Sequence, residues 1–317
     1  MLSHQLTFKT TMSQTTLNNR ISLTGQGLHT GKQVTVTLCP APVNNGILFR
    51  RIDLNPPVDI PAQANKVCST ARGTTLKEGK ASISTIEHLM SALHGMAVDN
   101  VIIETNGEEI PILDGSALRW VEAIRQAGIV ATDTSRRYFI IDKPFDFTID
   151  SSVYHAEPAD DFAVNCIIDF HSNVLGRQES TLDTFDNYAE QVAPCRTFVF
   201  LHEINTLLTL GLIKGGSLEN ALVFVDRPLG PIVKHNLAKH YGMNPDDIAV
   251  KNGVLNTQQP IFENEPARHK MLDFIGDIRL VGAPIRGHFT IQYPGHHANT
   301  LFAQKLIETY NFSTLSQ

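Results

Sequence analysis

Residues 268–277, which read RHKMLDFIGD, carry the side chains best suited to chemistry. On a helix, His269, Asp273 and Asp277 recur every fourth residue and share one polar stripe. An imidazole and a carboxylate at this spacing can converge on one metal ion. A solvated helix face explains the same pattern, so the segment predicts a metal site only if a third ligand exists elsewhere.

His88 is the candidate for that third ligand. It shares one stripe of a second predicted helix with Ser84, Glu87 and Ser91, and the small neighbours leave room beside its ring. Glu87 can be the capping-box partner of Ser84, which is the more common use of such a residue, or a base beside a metal-bound water. His88 taken alone fits a hydrogen-bonded core histidine equally well.

Helices and strands that could position these residues follow from hydrophobic periodicity and from Gly and Pro punctuation. Apolar residues between the polar positions of 268–277 predict a buried helix. The predicted helices are 84–95, 117–127 and 266–281, and the predicted strands are 33–38, 47–52, 100–105, 138–141, 163–169, 221–226 and 287–292. The first two strands predict a hairpin-like pair, 56–79 a long excursion or small insert, and 197–217 a Gly-rich segment.

A polar stretch without periodicity, 132–137, predicts a domain boundary. Residues 1–132 then form an N-terminal domain that carries Glu87 and His88, and 133–317 form a C-terminal domain that carries His269, Asp273 and His296. Each half contains a helix with a polar stripe followed by an extended apolar segment. The predicted fold class is therefore α+β, with two similarly built sandwich domains of sheets packed with helices, each with a small insert.

Composition limits the function. The formal net charge of −6 argues against general nucleic-acid binding and favours a small substrate. The four cysteines are scattered without a C-x-x-C pair, so a reducing compartment is the simpler expectation. No run approaches the roughly 18 to 20 apolar residues of a membrane helix, and we expect a soluble protein. Residues 1–20 predict a frayed leader before the first strand.

Several motifs resemble those of the UDP-3-O-acyl-N-acetylglucosamine deacetylase family, the zinc amidases of lipid A biosynthesis. They are GLHTGK around His29, STIEHL around His88, CRTFVF around Thr197, GLIKGGS around Gly215 and RHKMLDFIGD around His269. The match runs from about Gly25 to Asn299. The resemblance implies hydrolysis of the N-acetyl group of UDP-3-O-acyl-N-acetylglucosamine, which releases acetate in the committed step of lipid A synthesis. Because the chain ends soon after the last motif, we expect no appended dehydratase domain.

The resemblance implies that His88, His269 and Asp273 bind one Zn²⁺ per chain, with Fe²⁺ as an alternative metal. Two imidazoles and one carboxylate leave a position open for water, as in catalytic zinc sites. Glu87 is then the general base, and the resemblance makes His296, in the sequence YPGH, the cationic acid or electrostatic stabiliser. The adjacent His297 is the alternative, and the Gly-His spacing favours His296.

By the same resemblance, Asp277 holds the ring of His296, Thr197 donates its hydroxyl to the oxyanion, and Lys270 reaches polar groups of the substrate near the nucleotide phosphate. Two of these residues have simpler explanations. Without the family match, Thr197 reads as a β-branched strand residue and Lys270 as a solvated helix lysine.

Substrate contacts follow from the same resemblance. Phe198 packs on the sugar ring, and Asp169 and Phe170 receive the uracil. Leu28 of the GLHTGK motif also belongs to the substrate site. An apolar passage for the acyl chain is formed by Phe200, Ile204, Leu207, Leu212, Ile213, Ala221 and Val223. Ordinary core packing is the rival explanation for this last group.

The expected partner is a UDP-linked acylated amino sugar, and the expected protein is a cytoplasmic monomer with peripheral membrane contact and no membrane span or nucleic acid. Two other functions stay open. The chain could be a zinc amidase or esterase for a different acylated or N-acetylated sugar nucleotide. It could also be a non-catalytic lipid- or nucleotide-binding relative, although the presence of Glu87 and His296 argues against that.

Overall fold

The computed structural model describes residues 12–242, 244–255 and 259–310. The strands are β1 (Ser13–Leu17), β2 (Ile21–Gln26), β3 (Gln33–Pro40), β4 (Ile47–Arg51), β5 (Val58–Pro61), β6 (Val67–Ser69), β7 (Thr75–Glu78), β8 (Ala81–Ile83), β9 (Val101–Thr105), β10 (Ile129–Ser135), β11 (Phe139–Ile140), β12 (Phe145–Ile149), β13 (Ser152–Glu157), β14 (Phe162–Asp169), β15 (Arg177–Leu182), β16 (Phe198–Phe200), β17 (Leu222–Phe224), β18 (Val250–Lys251), β19 (Val254–Leu255) and β20 (Ile285–Gln292). The helices are α1 (Glu87–Gly95), α2 (Leu118–Ala127), α3 (Tyr188–Gln191), α4 (Leu201–Thr209), α5 (Pro231–Tyr241), α6 (Glu265–Ile278) and α7 (His296–Tyr310).

Two large sheets share one topology. The first has the strand order β2-β3-β9-β4-β5, and the second has the order β12-β13-β20-β14-β15, with β11 added beside β20. In each sheet the last strand along the chain enters the centre, antiparallel to one neighbour and parallel to the other. One helix precedes that central strand and another follows it in both halves. The predicted α+β class with two similarly built halves is confirmed.

The helices α1 and α6 pack against each other in the core. Every residue of α1 is buried, as are most residues of α6. The closest approach is at Gly276, where an added Cβ would lie 2.1 Å from the carbonyl oxygen of Glu87. Only a glycine lets the two backbones meet at this distance. The packing therefore brings the two polar stripes of the sequence to the same region.

Each half carries an insert before its buried helix. The first insert is the small sheet β6-β7-β8. It confirms the later part of the prediction for 56–79, whereas Val58–Pro61 form β5 of the first large sheet and are not part of an insert. The second is larger and contains the sheet β16-β17-β19-β18 together with α3, α4 and α5. Its apolar side chains form two small clusters apart from the main core. The segment 197–217, predicted only as Gly-rich, includes β16 and α4.

The predicted hairpin of β3 and β4 is wrong. Both strands pair with β9 instead, β3 antiparallel and β4 parallel to it. The alternation of 33–38 and 47–52 identified the strands correctly, but β9 comes from about fifty residues further along and lies between them. A pairing decided by such a distant segment leaves no local signal.

The polar segment at 132–137 is not a linker over its whole length, because 132–135 belong to β10, which pairs antiparallel with β1. The boundary at 132/133 stays a prediction. The leader predicted for 1–20 is likewise wrong for Ser13–Leu17, which form β1, while 1–11 lie outside the described residues. Across the described ranges, no helix combines the length and hydropathy needed to cross a bilayer.

Other helix predictions hold. The helix predicted at 117–127 is α2, and it ends at Gly128, whose φ of 74° is easily adopted only by glycine. The helix predicted at 266–281 is α6 followed by a 3₁₀ turn at Arg279–Val281. The predictions did not include β12, β13 or the C-terminal helix α7.

Candidate active site

Three predicted metal ligands converge where α1 meets α6. His88 lies in the first turn of α1, and His269 and Asp273 lie on one face of α6. Asp273 Oδ1 is 3.7 Å from His88 Nε2 and 3.4 Å from His269 Nε2. One ligand atom from each of the three lies within 4.8 Å of the others. The spacing predicted from the α6 stripe is thus completed by a residue nearly two hundred positions away.

The donor set fits a divalent metal. Asp273 Oδ1 is buried and has no hydrogen-bond partner among the described residues. His269 Nδ1–H donates to the carbonyl oxygen of Cys195 at 3.0 Å, so its Nε2 lone pair faces the cluster. A carboxylate oxygen beside two imidazole lone pairs is repelled unless a cation lies between them. Two nitrogens and one oxygen form a ligand set that suits zinc.

The protonation states also suit metal binding. Burial, with His269 nearby, lowers the pKa of His88 to about 3, and burial lowers the pKa of His269. Burial alone would raise the pKa of Asp273, but Lys270 and the neighbouring histidines hold it well below its usual range. At neutral pH the cluster consists of two neutral imidazoles and one carboxylate, which are the forms that ligate metal.

Glu87 faces the same cluster, and its predicted capping box with Ser84 is wrong. The N-cap residue of α1 is Ile86, and it makes no side-chain cap. The hydroxyl of Ser84 instead donates to the carbonyl oxygen of Glu108 at 3.2 Å. Glu87 Oε2 accepts a hydrogen bond from the backbone N–H of Thr74 at 2.9 Å. Burial raises the pKa of Glu87 to about 7, a value suited to accepting a proton near neutral pH.

His296 begins α7 and is held by Asp277, as predicted from the resemblance. Its Nδ1–H donates to Asp277 Oδ2 at 2.9 Å. The same carboxylate accepts hydrogen bonds from the hydroxyl of Thr74 at 2.6 Å and from the side-chain amide of Asn299 at 2.9 Å. Tyr154 in turn donates its hydroxyl to Asn299 at 2.7 Å. These bonds fix the imidazole and leave its Nε2 facing the cluster.

Opposite charges meet at this Nε2. It lies 4.0 Å from Glu87 Oε1 and 3.9 Å from Asp273 Oδ2. Burial alone would lower the pKa of His296, but the carboxylates of Asp277, Glu87 and Asp273 outweigh it and raise the pKa to about 9. A cationic imidazole therefore faces a carboxylate of raised pKa across the metal-ligand cluster. Such a pair can supply one proton acceptor and one proton donor.

Lys270 is paired rather than solvated. Its Nζ lies 2.9 Å from Asp273 Oδ2 and 5.5 Å from the centroid of the Phe198 ring. Thr197 donates its backbone N–H to the carbonyl oxygen of Gly115 and is half-buried at the wall of an adjoining cavity. Lys270 thus lies beside the cluster and Thr197 lies in the wall of a neighbouring cavity, while their predicted contacts with substrate stay predictions.

Two cavities lead away from this region. Apolar side chains line the narrower one, namely Leu28, Ile204, Leu207, Ile213, Ala221 and Val223. The second is more polar and includes Arg72, Phe170, Phe200 and Lys270. Both are lined by Phe198. A molecule with one apolar and one polar part could therefore lie across the Phe198 ring, with one part in each cavity.

Phe200 lies on the polar side of Phe198 rather than in the apolar cavity. Its ring centroid is 5.6 Å from that of Phe170, which in turn is 5.4 Å from that of Phe198. Asp169 ends β14, and its carboxylate accepts the backbone N–H of His171 at 2.8 Å. Leu212 is absent from the described lining of both cavities. The roles of these side chains in substrate binding remain predictions.

Thr74, which forms hydrogen bonds with both Glu87 and Asp277, was not predicted from the sequence. It lies in the polar stretch interpreted as an insert, and its neighbours carry no period. Asn299 had a weak signal, because it lies three residues after His296 and therefore on the same side of a helix. His269 is oriented by the backbone carbonyl of Cys195, and because every residue has such a carbonyl, the sequence cannot identify this contact.

The sequence of this chain is similar to those of known proteins over most of its length. A family model described as UDP-3-O-acyl N-acetylglycosamine deacetylase matches residues 14–240 and 231–308. A bifunctional enzyme LpxC/FabZ from Porphyromonas gingivalis is 43% identical over 293 residues, covering 92% of this chain and 63% of that protein. A second, from Chlorobaculum tepidum, is 41% identical over 297 residues, covering 92% and 64%. A UDP-3-O-acyl-N-acetylglucosamine deacetylase from Geotalea uraniireducens is 38% identical over 296 residues, covering 93% and 88%. The chain spans less than two thirds of the length of the bifunctional relatives.

Proposed function

We propose a function from one premise: the chain belongs to the UDP-3-O-acyl N-acetylglycosamine deacetylase family. The proposed reaction hydrolyses the N-acetyl group of UDP-3-O-acyl-N-acetylglucosamine, releasing acetate and UDP-3-O-acyl-glucosamine for lipid A synthesis. One observation carries the proposal. Two imidazoles and a carboxylate from both halves converge beside an acid–base pair formed by Glu87 and His296.

His88, His269 and Asp273 would hold one Zn²⁺ per chain, and Fe²⁺ suits the same three donors. When bound, zinc supplies Lewis acidity that lets a water molecule ionise near neutral pH. The protein contributes the ligand geometry and the tautomer of His269, which is fixed by the carbonyl of Cys195.

Glu87 is the proposed general base. Its Oε1 takes a proton from the water that attacks the amide carbon, while Oε2 stays anchored to the N–H of Thr74. His296, held by Asp277, is the cationic acid or electrostatic stabiliser for the tetrahedral intermediate. Breaking the C–N bond then needs a proton on the departing amine, which protonated Glu87 or His296 would donate. The two side chains lie close together, with 4.0 Å between His296 Nε2 and Glu87 Oε1.

The two cavities support the proposed substrate. Phe198 lies at their junction, where the sugar ring would pack. The acyl chain would enter the cavity lined by Leu28, Ile204, Ile213 and Ala221, with Thr197 near its start to donate to the oxyanion.

The nucleotide would extend over Phe170 and Phe200 toward Asp169, with Lys270 near the phosphates. We further propose a cytoplasmic monomer that contacts the membrane only peripherally.

Metal content and acetate release, measured together, test the proposal. The zinc-loaded chain should release acetate from UDP-3-O-acyl-GlcNAc, and a series of acyl lengths and other UDP-linked N-acetyl sugars would show which substrate it prefers. Glu87→Gln should retain metal and lose most turnover. No acetate above the enzyme-free rate from a metal-loaded sample would support a binding protein instead, and full turnover in Glu87→Gln would remove the proposed base.

A further inference from the structure

A second cleft lies at the C-terminal ends of α1 and α6, away from the metal ligands. It has a volume of about 450 Å³ and is lined by Arg125, Arg136, Arg279 and Arg286 among other residues. His94 also lines it and lies six residues beyond His88, which is about 9 Å along the helix axis. No step of the proposed reaction uses this cleft.

The buried charges in this cleft do not balance. Arg136 is 6% exposed, Arg279 3% and Asp99 6%. Arg136 Nε donates to Asp99 Oδ2 at 2.8 Å, and the same guanidinium donates to the carbonyl oxygen of Ala97 at 2.9 Å. The guanidinium of Arg279 makes no hydrogen bond and no ion pair within 4.0 Å of any described residue, and Asp99 is the carboxylate whose charge acts on it from further away. Two buried cations thus share one carboxylate, and a buried charge without a partner is strongly unfavourable.

Three more buried polar atoms of the cleft lack a partner in the described part of the chain: His94 Nε2, Arg286 Nε and Asp99 Oδ1. His94 Nδ1–H donates to the carbonyl oxygen of Ile275 at 3.0 Å, so its Nε2 is an acceptor. Arg286 Nε is a donor, and its guanidinium stacks over Tyr138 at 3.8 Å. The cleft therefore offers unused guanidinium donors and two unused acceptors, the imidazole of His94 and one carboxylate oxygen of Asp99, so a ligand that carries both an anionic oxygen and a hydroxyl suits it better than a fully ionised anion.

This combination selects among anions. Guanidinium groups bind phosphate and carboxylate oxygens alike. A neutral imidazole acceptor also needs a proton donor, which a carboxylate or sulfate lacks at neutral pH. Inorganic hydrogen phosphate carries such a proton, and a phosphate monoester carries one in its singly charged form, which is present near its second pKa of about 6. The exposed Asp161 and Asp186 also line the cleft, and their charges disfavour a ligand with several anionic groups.

We propose that this cleft binds the phosphate of a small monoester. The ester binds in its singly charged form: oxygens of the phosphate accept hydrogen bonds from Arg279 and Arg286, and its remaining hydroxyl donates to His94 Nε2. Met96, Phe185 and Ile285 line the same cleft and would contact the organic part of the ester. The site is separate from the pocket at Phe170 and Phe198 proposed for the nucleotide.

Thermal melting and calorimetric titration of the full metal-loaded chain test the site with inorganic phosphate, phenyl phosphate and sulfate. Both phosphates should raise the melting temperature of the parent chain, and phenyl phosphate should do so at lower concentration if an ester is the true ligand. Sulfate should bind more weakly. Arg279→Gln should weaken phosphate binding about tenfold, because a charged hydrogen bond is lost. Arg137→Gln, an exposed neighbour outside the cleft, is the matched control and should bind as the parent does.

The ligand-free variant separates binding from a structural role. Since Arg279→Gln removes an unpaired buried cation, it should melt at or above the temperature of the parent without ligand. Arg286→Gln provides a second test and should also bind phosphate less tightly. The proposal is overturned if phosphate does not bind the parent, if both variants bind it as tightly as the parent, or if Arg279→Gln melts well below the parent without ligand. Phosphate held at the metal cluster would give equal binding in all variants.

Discussion

In the first half of the chain α1 precedes the central strand β9, and in the second half α6 precedes β20, yet the two helices carry different side chains. Each has a histidine that faces the metal site. Four residues after His88 the chain has Ala92, whereas four residues after His269 it has Asp273. The small stripe of α1 lets α6 approach, and α6 supplies the second and third ligands. A repeated scaffold therefore does not imply repeated chemistry, because one copy can provide the close packing that the other needs.

The first residues of the two helices show the same divergence. Glu87 and Glu265 each begin a buried helix, and both are almost fully buried. Glu265 accepts hydrogen bonds from Arg196 through its backbone N–H and its guanidinium, and from the backbone N–H of Ile261. Glu87 accepts one hydrogen bond from Thr74 and otherwise faces His296. Among the described residues, both oxygens of Glu265 accept hydrogen bonds, whereas Oε1 of Glu87 accepts none and is the atom proposed to act as the base.

The largest expected effect is loss of a ligand from either half. His88→Ala and Asp273→Ala should each lower metal affinity by more than about 100-fold, because even residues that merely support ligands account for 10- to 100-fold. Turnover should fall with metal content, and chelation of the parent chain should reproduce the loss. Metal analysis beside acetate release measures both. If His88→Ala retained its metal, the second half alone would hold the ion and the comparison would fail.

The two glutamates should respond oppositely to the same change. Glu265→Gln removes the carboxylate that pairs with the buried guanidinium of Arg196 and should cost about 3 kcal/mol of stability. Folded Glu265→Gln should retain most of its turnover, whereas Glu87→Gln should lose turnover. Melting temperature and acetate release of both variants separate stability from activity.

The Glu87→Gln variant should also change how stability depends on pH in the metal-free protein. Burial raises the pKa of Glu87 from 4.5 to about 7, so ionisation costs the folded state more than the unfolded state. The stabilising contribution of the protonated group is complete below pH 4.5 and is lost as the pH rises through 7. The variant's advantage in melting temperature should therefore be largest above pH 7. An advantage independent of pH would contradict the burial argument.

Gly276→Ala tests the close packing of the two halves. The added Cβ would lie 2.1 Å from the carbonyl oxygen of Glu87, a backbone atom that cannot rotate away. Overpacking of this kind should cost about 1–3 kcal/mol and displace Glu87 from the cluster. Gly230→Ala is the control, since nothing lies within 4 Å of its added Cβ. Equal melting temperatures for the two variants would show that α1 and α6 can separate without cost.

Asp277→Asn should lower turnover about 10-fold or more, the usual effect of losing a supporting hydrogen-bond partner. Among the carboxylates that raise the pKa of His296 to about 9, Asp277 contributes most. The variant should therefore lose the cationic imidazole at a lower pH, and the alkaline limb of its kcat/KM profile should move toward neutral pH. An unchanged alkaline limb would mean that another group titrates there.

Features that are determined by residues close together in the sequence could be predicted, and features that depend on distant residues could not. The stripe of α6 and the end of α2 at Gly128 follow from helical period and turn chemistry, and both were predicted. The pairing of β3 and β4 with β9, the bonds of Thr74 and the arginines of the second cleft all depend on residues far apart along the chain. Ser84 shows the opposite failure, because a local pattern was present and long-range contacts overrode it.

Ser84→Ala is the smallest expected effect and tests how the two helices begin. A working N-cap serine is worth about 1 kcal/mol, whereas a surface side chain outside such a role changes stability by less than about 0.5 kcal/mol. The hydroxyl of Ser84 bonds to the carbonyl of Glu108, so the smaller value is expected. Asn264 precedes α6 and also makes no cap, but it donates to the carbonyl oxygen of Glu179 at 2.7 Å and accepts from Arg268 at 2.8 Å.

Asn264→Ala should therefore destabilise the chain more than Ser84→Ala, as measured by chemical denaturation of both variants. The reverse order would mean that α1 depends on its serine cap in solution. Glu87 would then be needed at the helix start as well as at the metal cluster, and the contrast with Glu265 would lose its basis. If Asn264→Ala is the more destabilising variant, packing against α6 and not a serine cap holds α1 in place. Glu87 is then not needed as a capping residue, which agrees with its proposed role as the general base.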